Sequence, residues 1–123
     1  MRMLLAALAF AAFAAPGMAR DRQAIPAATE VGKPESCIPL RQIRETRVHG
    51  DRTIDFIMNG RKVYRNTLPN ACPGLGFEER FTYETSLSQL CSVDIITVLY
   101  ATPALQRGAS CGLGQFQPVT FAK

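Results

Sequence analysis

The chain has 123 residues, 47% of them hydrophobic and 20% charged, and its formal net charge is +4 at pH 7. A chain of this length has room for one folded domain and not for two. The modest basic excess suits an anionic partner, but it does not identify one.

Residues 1–19 predict a cleavable secretory signal peptide. A positive start precedes an uncharged apolar run (residues 3–15), and the small residues Gly17 and Ala19 suit a signal peptidase. The apolar run is too short to span a bilayer, so we expect cleavage after Ala19, or alternatively after Ala14, rather than a membrane anchor. No cysteine lies near either cut to carry a lipid. The sequence therefore predicts a soluble product that is periplasmic or secreted.

Residues 20–36 carry prolines, a glycine and mixed charges without a period, and they predict a disordered leader. The remaining residues, 37–123, are expected to form a single domain. Its start coincides with the first cysteine, and no second boundary is apparent in the composition.

A hairpin at Asn59-Gly60 is the strongest local signal, because both residues tolerate the positive φ of a two-residue type I′ turn. The alternating segment Thr53–Met58 precedes it, and Arg41–Val48 is expected to pair on the other side, which gives an antiparallel meander. A two-residue turn sets Phe56 opposite Val63 and places both on the core side of the sheet.

Three further strands are predicted after this meander. They are Phe81–Thr85, the β-branched central segment Ile95–Tyr100 and a last strand Leu113–Val119, with loops over 68–76 and 102–110. About six short strands predict a mainly β domain, either a small antiparallel sandwich or a partly closed barrel.

Four cysteines in a short exported chain predict two disulfides, formed among Cys37, Cys72, Cys91 and Cys111. Three pairings are open, and we favour Cys37–Cys111 with Cys72–Cys91 nested inside. The even count leaves no spare thiol for catalysis. One histidine and the absence of C-x-x-C spacing count against zinc, so we expect no metal and no cofactor.

The segments around the cysteines resemble those of a known family. They are Cys37-Ile38-Pro39-Leu40, Cys72-Pro73-Gly74-Leu75 and Cys111-Gly112-Leu113-Gly114, together with Asp94-Ile95-Ile96-Thr97-Val98 after Cys91. This pattern, over about residues 37–121, resembles domain-of-unknown-function family 6491, small four-cysteine proteobacterial envelope proteins. The resemblance implies an envelope location and carries no activity, ligand or catalytic residue. The chain departs from some relatives in lacking a lipoprotein cysteine.

Basic residues concentrate between positions 41 and 65, where they form a candidate anion-binding set. The set comprises Arg41, Arg44, Arg47, Arg52, Arg61, Lys62 and Arg65. Such an excess attracts an acidic protein face or an anionic envelope surface. A solvated sheet face that keeps a small protein soluble would have the same composition.

Glu45, Arg47 and His49 alternate, so on a strand their side chains point the same way. A carboxylate, a guanidinium and an imidazole in that order can act as base, phosphate clamp and acid. A small secreted hydrolase of an anionic polymer, resembling a ribonuclease, is therefore the alternative function. We favour a non-enzymatic binding or structural role in the cell envelope, because so small a domain has few groups to spare for a preorganised active site.

Overall fold

The computed structural model describes residues 24–85 and 87–122. The predicted signal peptide (1–19) and the start of the predicted leader lie outside the described residues. Within the described ranges the chain forms ten strands and one short α-helix: β1 (Ala28–Glu30), β2 (Cys37–Pro39), β3 (Ile43–His49), β4 (Thr53–Met58), β5 (Val63–Thr67), α1 (Leu75–Glu78), β6 (Phe81–Tyr83), β7 (Gln89–Cys91), β8 (Ile95–Tyr100), β9 (Gln106–Gly112) and β10 (Phe116–Phe121). The mainly β class is confirmed. No helix among these residues is long and apolar enough to cross a membrane.

All strand pairs are antiparallel, and they form open sheets of five, two and three strands. The orders are β1-β10-β5-β4-β3, β2-β7 and β6-β8-β9. One apolar core joins them, with Phe56 at its centre: its ring lies 5.4 Å from that of Phe116 on β10 and 6.4 Å from that of Phe81 on β6. Both contacts are edge-on, an arrangement that aromatic pairs favour. The five- and three-stranded sheets therefore share a core as the layers of a sandwich.

The turn between β4 and β5 differs from the predicted two-residue turn. Met58 donates its backbone N–H to the carbonyl of Lys62, which leaves three residues in the turn. Both Gly60 (φ 78°) and Arg61 (φ 65°) adopt the left-handed conformation. The predicted register is therefore wrong by one residue.

A slip of one residue moves each side chain of a strand to the other face. Phe56 lies opposite Tyr64, not Val63, and Asp55 lies opposite Arg65. Tyr64 consequently packs in the core, whereas Val63 lies on the face of the five-stranded sheet that points away from the core. We call this the outer face.

The four cysteines form two disulfides, as predicted, but the favoured pairing is wrong. Cys37 on β2 and Cys91 on β7 are directly opposed in an antiparallel pair and are bonded, with their Cα atoms 4.0 Å apart. Cys111 on β9 is bonded to Cys72 in the loop before α1. The two bonds interleave along the chain rather than nest, because the pairing of β2 with β7 brings together cysteines that are 54 positions apart.

The ordered domain begins before Cys37, where the sequence placed the end of the leader. β1 hydrogen-bonds to β10, and Glu35 forms a further bridge to Phe116. Residues 106–110, predicted as part of a loop, belong to β9, which pairs with β8. In both cases the partner strand supplies the backbone hydrogen bonds, and the local composition gives no signal of it.

Candidate anion-binding site

Glu45, Arg47 and His49 lie on the outer face, since each is paired with a residue of β4 that also faces outward. The structure then divides them. Glu45 accepts a hydrogen bond from Arg47, with Nε 3.0 Å from Oε1, and both side chains are exposed. That hydrogen bond and the charge of the guanidinium hold the pKa of Glu45 below its ordinary value.

His49 points to a different partner. Its Nε2 lies 3.0 Å from Oδ2 of Asp55, and only 11% of its side chain is exposed. Four residues along a strand separate His49 from Glu45, a span of roughly 13 Å. A general acid and a general base must both come within hydrogen-bond reach of the group they act on. Glu45 is instead paired with Arg47 and His49 with Asp55. The two side chains are therefore not placed on either side of one phosphate.

Asp55 is the centre of a charged cluster with Arg65 and His49 that the sequence did not predict. It is fully buried, and its carboxylate accepts two bonds from Arg65: Nε to Oδ1 at 2.8 Å and Nη2 to Oδ2 at 3.1 Å. Arg65 also donates to the backbone carbonyl of Pro26 at 2.9 Å, which fixes the segment before β1 over the outer face. The cluster of Asp55, Arg65 and His49 is satisfied internally, as buried charges must be. The three-residue turn at 59–61 places Asp55 opposite Arg65, and the pairing of β3 with β4 brings His49 beside them.

Four of the seven predicted basic residues are held by partners within the fold. Arg47 and Arg65 are in the ion pairs described above. Arg52 donates through Nε to a backbone carbonyl in the loop after β5 at 3.0 Å. The ammonium of Lys62 lies 4.8 Å from the centre of the Tyr64 ring, and a hydrogen bond with Tyr64 raises the pKa of Lys62. These four contribute charge, but at least one donor of each is already engaged by a partner within the domain.

The other three, Arg41, Arg44 and Arg61, are exposed and pair with no carboxylate among the described residues. Arg41 lies in a 3-10 turn just before β3, Arg44 at the start of β3 and Arg61 in the turn after β4. Because Ile43 pairs with Met58, the start of β3 lies beside that turn. The three arginines therefore occupy positions at the same end of the five-stranded sheet, and we call them the basic corner.

A separate cleft of about 340 Å³ lies on the exposed face of the three-stranded sheet. Glu84, just after β6, and Arg107 on β9 form an ion pair at one side of it, with O and N 3.3 Å apart, and Thr97 lies on β8, the strand between β6 and β9. Val93 and Ile95, respectively 86% and 57% exposed, form the apolar side. Two carboxylates and one guanidinium line the cleft, so it does not share the electrostatic character of the basic corner.

Among residues 24–85 and 87–122, no three histidine, cysteine, aspartate or glutamate side chains are grouped to hold a metal ion. Comparison of the chain with protein-family models, with curated proteins and with solved structures found no match. The resemblance to family 6491 therefore stays a prediction, and the function has to be argued from the geometry.

Proposed function

We propose that the protein is an exported, non-enzymatic binding domain of the cell envelope that attaches to an anionic surface through the basic corner. The observation that carries this proposal is the division of the basic residues: four of them are engaged by partners within the domain, whereas Arg41, Arg44 and Arg61 are exposed at the same end of the five-stranded sheet. A guanidinium presents N–H donors in a fixed fork that matches phosphate oxygens. Three such groups at one end of a small domain form a surface suited to phosphate headgroups.

The two disulfides support a periplasmic or secreted location, because such bonds persist in oxidising compartments. The predicted signal peptide agrees with this location, and membership of the envelope family named above is part of the same proposal. Anionic phosphates are the main charged groups that such a surface would meet on a membrane.

We favour binding over hydrolysis because Glu45 and His49 interact with different partners. Glu45 is paired with Arg47, and His49 is paired with the buried Asp55. A ribonuclease-like reaction would require both to turn toward one phosphate, which breaks two existing interactions. We therefore expect no cleavage of RNA by the purified protein.

The test is co-sedimentation of the purified exported protein with vesicles that contain phosphatidylglycerol, and with vesicles of phosphatidylcholine alone. The corner variant carries Arg41→Gln, Arg44→Gln and Arg61→Asn, since asparagine tolerates the positive φ at that position. A control variant removes the same charge elsewhere, with the exposed residues Lys33, Arg80 and Arg107 replaced by glutamine.

Each arginine near an anionic membrane contributes about 1 kcal/mol, so loss of three should weaken binding about 100-fold. We expect the control variant to bind nearly as well as the unmodified protein, and binding to weaken as salt rises. Equal binding by the corner variant and the unmodified protein, or equal binding to neutral vesicles, would contradict the proposal.

A further inference from the structure

Phe77 is the large apolar side chain at the end of the molecule remote from the basic corner. It lies in α1 and is 84% exposed, although the preceding residues Leu75 and Gly76 are buried. Gly76 packs against Gly50 in the turn from β3 to β4, whereas the basic corner lies at the other end of β4. Six strand residues separate the two ends by about 20 Å.

The backbone that leads into this aromatic is fixed by several contacts. The N–H of Gly76 donates to Oδ1 of Asp51 at 2.8 Å, and a Cβ at Gly76 would lie 2.7 Å from the carbonyl carbon of Gly50. Cys72 is buried in its disulfide and donates its N–H to the carbonyl of Asp51 at 2.7 Å. The exposed ring is thus presented on a preorganised loop, which lowers the ordering entropy that binding would otherwise lose.

Carboxylates outnumber cations by one among the charged residues that follow Phe77 and those of the turn on which α1 packs, in a chain that is basic as a whole. The carboxylates are Asp51, Glu78 and Glu79, and the cations are Arg52 and Arg80. This local excess disfavours insertion of the ring into an anionic membrane. It also disfavours the cleft of a second copy, where Glu84 and Asp94 accompany Arg107. A partner with basic side chains is the complement.

We infer that Phe77 is the anchor through which the domain docks onto a second protein, one that offers an apolar pocket bordered by lysine or arginine. Aromatic side chains seated in desolvated pockets are typical centres of protein interfaces. Glu78 and Glu79 then pair with the basic border and set the orientation. The inference does not depend on the basic corner, which would leave this end of the domain free.

The first experiment places the photoreactive residue p-benzoylphenylalanine at position 77 in cells that produce the protein naturally. A matched control places it at Leu105, which is 70% exposed in the loop before β9. We expect irradiation to give one protein adduct when the photoreactive residue is at position 77. The same adduct should be absent when it is at position 105. The crosslinked segment of the partner should line an apolar pocket with a basic border.

The second experiment measures the Kd of the purified partner. We expect Phe77→Ala to weaken binding about 30-fold. The double variant Glu78→Gln and Glu79→Gln should weaken it at low salt and have little effect at high salt. Leu105→Ala should bind as the unmodified protein does. The unfolding midpoint of Phe77→Ala should be unchanged because the ring is exposed, so a loss of binding reports on the contact.

Several outcomes would overturn the inference. They are the absence of a specific adduct at position 77, an adduct with a second copy of the chain or with lipid, and a crosslinked partner segment that is acidic or lacks a pocket. Unchanged affinity in Phe77→Ala would overturn it as well. None of these results bears on vesicle binding by the basic corner, so either proposal can be overturned without affecting the other.

Discussion

Asp55 and Arg65 form a two-point ion pair across β4 and β5, with N–O distances of 2.8 and 3.1 Å. The carboxylate is fully buried, and His49 contacts its second oxygen. The pair exists because the three-residue turn sets these two positions opposite each other. It commits Arg65 and His49 to the fold, whereas the ion pairs among the described residues do not include Arg41, Arg44 or Arg61 of the basic corner.

Loss of the buried carboxylate should be strongly destabilising. Asp55→Asn leaves the largely buried guanidinium of Arg65 without its counter-ion, which typically lowers the free energy of unfolding by about 3 to 5 kcal/mol. Urea denaturation measures this change. Glu84→Gln is the control, because it breaks an ion pair whose side chains are mostly exposed and such pairs contribute little. Similar midpoints for the two variants would refute a central structural role for Asp55.

Gly76 tests the close packing of α1 on the turn between β3 and β4. A Cβ there would meet backbone atoms of Gly50 at 2.7 and 2.8 Å, and backbone cannot move aside as a side chain can. We expect Gly76→Ala to destabilise the domain by about 1 to 3 kcal/mol. Gly112→Ala is the matched control, since nothing lies within 4 Å of its added Cβ. Thermal unfolding should separate the two, and equal melting temperatures would show that the contact is not close.

Tyr64 should titrate later than an ordinary tyrosine. Burial raises its pKa above the usual 10.0, and a hydrogen bond with Glu35 acts in the same direction, while one with Lys62 opposes them. The neutral phenol is thus favoured in the folded state. The stability it contributes is complete below pH 10 and is lost as the pH rises through the raised pKa of the folded state.

Absorbance of the phenolate during an alkaline titration measures this behaviour. The latest component of the titration should disappear in Tyr64→Phe and persist in the control Tyr83→Phe. If all tyrosines ionise together near the ordinary value in the folded protein, the burial of Tyr64 next to Glu35 is wrong.

The disulfide connectivity can be read directly from peptide mapping without reduction. We expect peptides that join Cys37 to Cys91 and Cys72 to Cys111. Removal of either bond by paired serine substitutions should lower stability by about 4 kcal/mol in the chain-entropy model, given loops of 54 and 39 residues. Peptides that instead join Cys37 to Cys111 and Cys72 to Cys91 would contradict the fold.

Strands with strong local patterns were predictable from the sequence. β4 and β8 alternate or carry β-branched residues, and both occur where expected. β1 has three mostly exposed residues and exists only because β10 pairs with it. β2 and β7 likewise depend on their pairing with each other, and this pairing decides the cysteine connectivity. Contacts between segments far apart in the chain leave no local pattern to interpret.

The candidate site depended on a single turn. Asn59-Gly60 indicated a hairpin, but the adoption of positive φ by Arg61 could not be expected, because residues other than glycine, asparagine and aspartate seldom do so. That residue shifts the register and creates the pair of Asp55 with Arg65. The seven basic residues were identifiable from composition alone. Arg47 and Lys62 are engaged by residues two positions away, whereas Arg52 and Arg65 are engaged by partners that only the fold brings near.

The most direct test of the basic corner is an amide chemical-shift titration of the isotope-labelled protein with inorganic tripolyphosphate. We expect the largest shifts at residues 41–44 and 59–62, and we expect them to saturate and to vanish in the corner variant. Shifts centred instead on the cleft residues 82–84 and 93–97, or on His49 and Asp55, would contradict the assignment of anion binding to Arg41, Arg44 and Arg61.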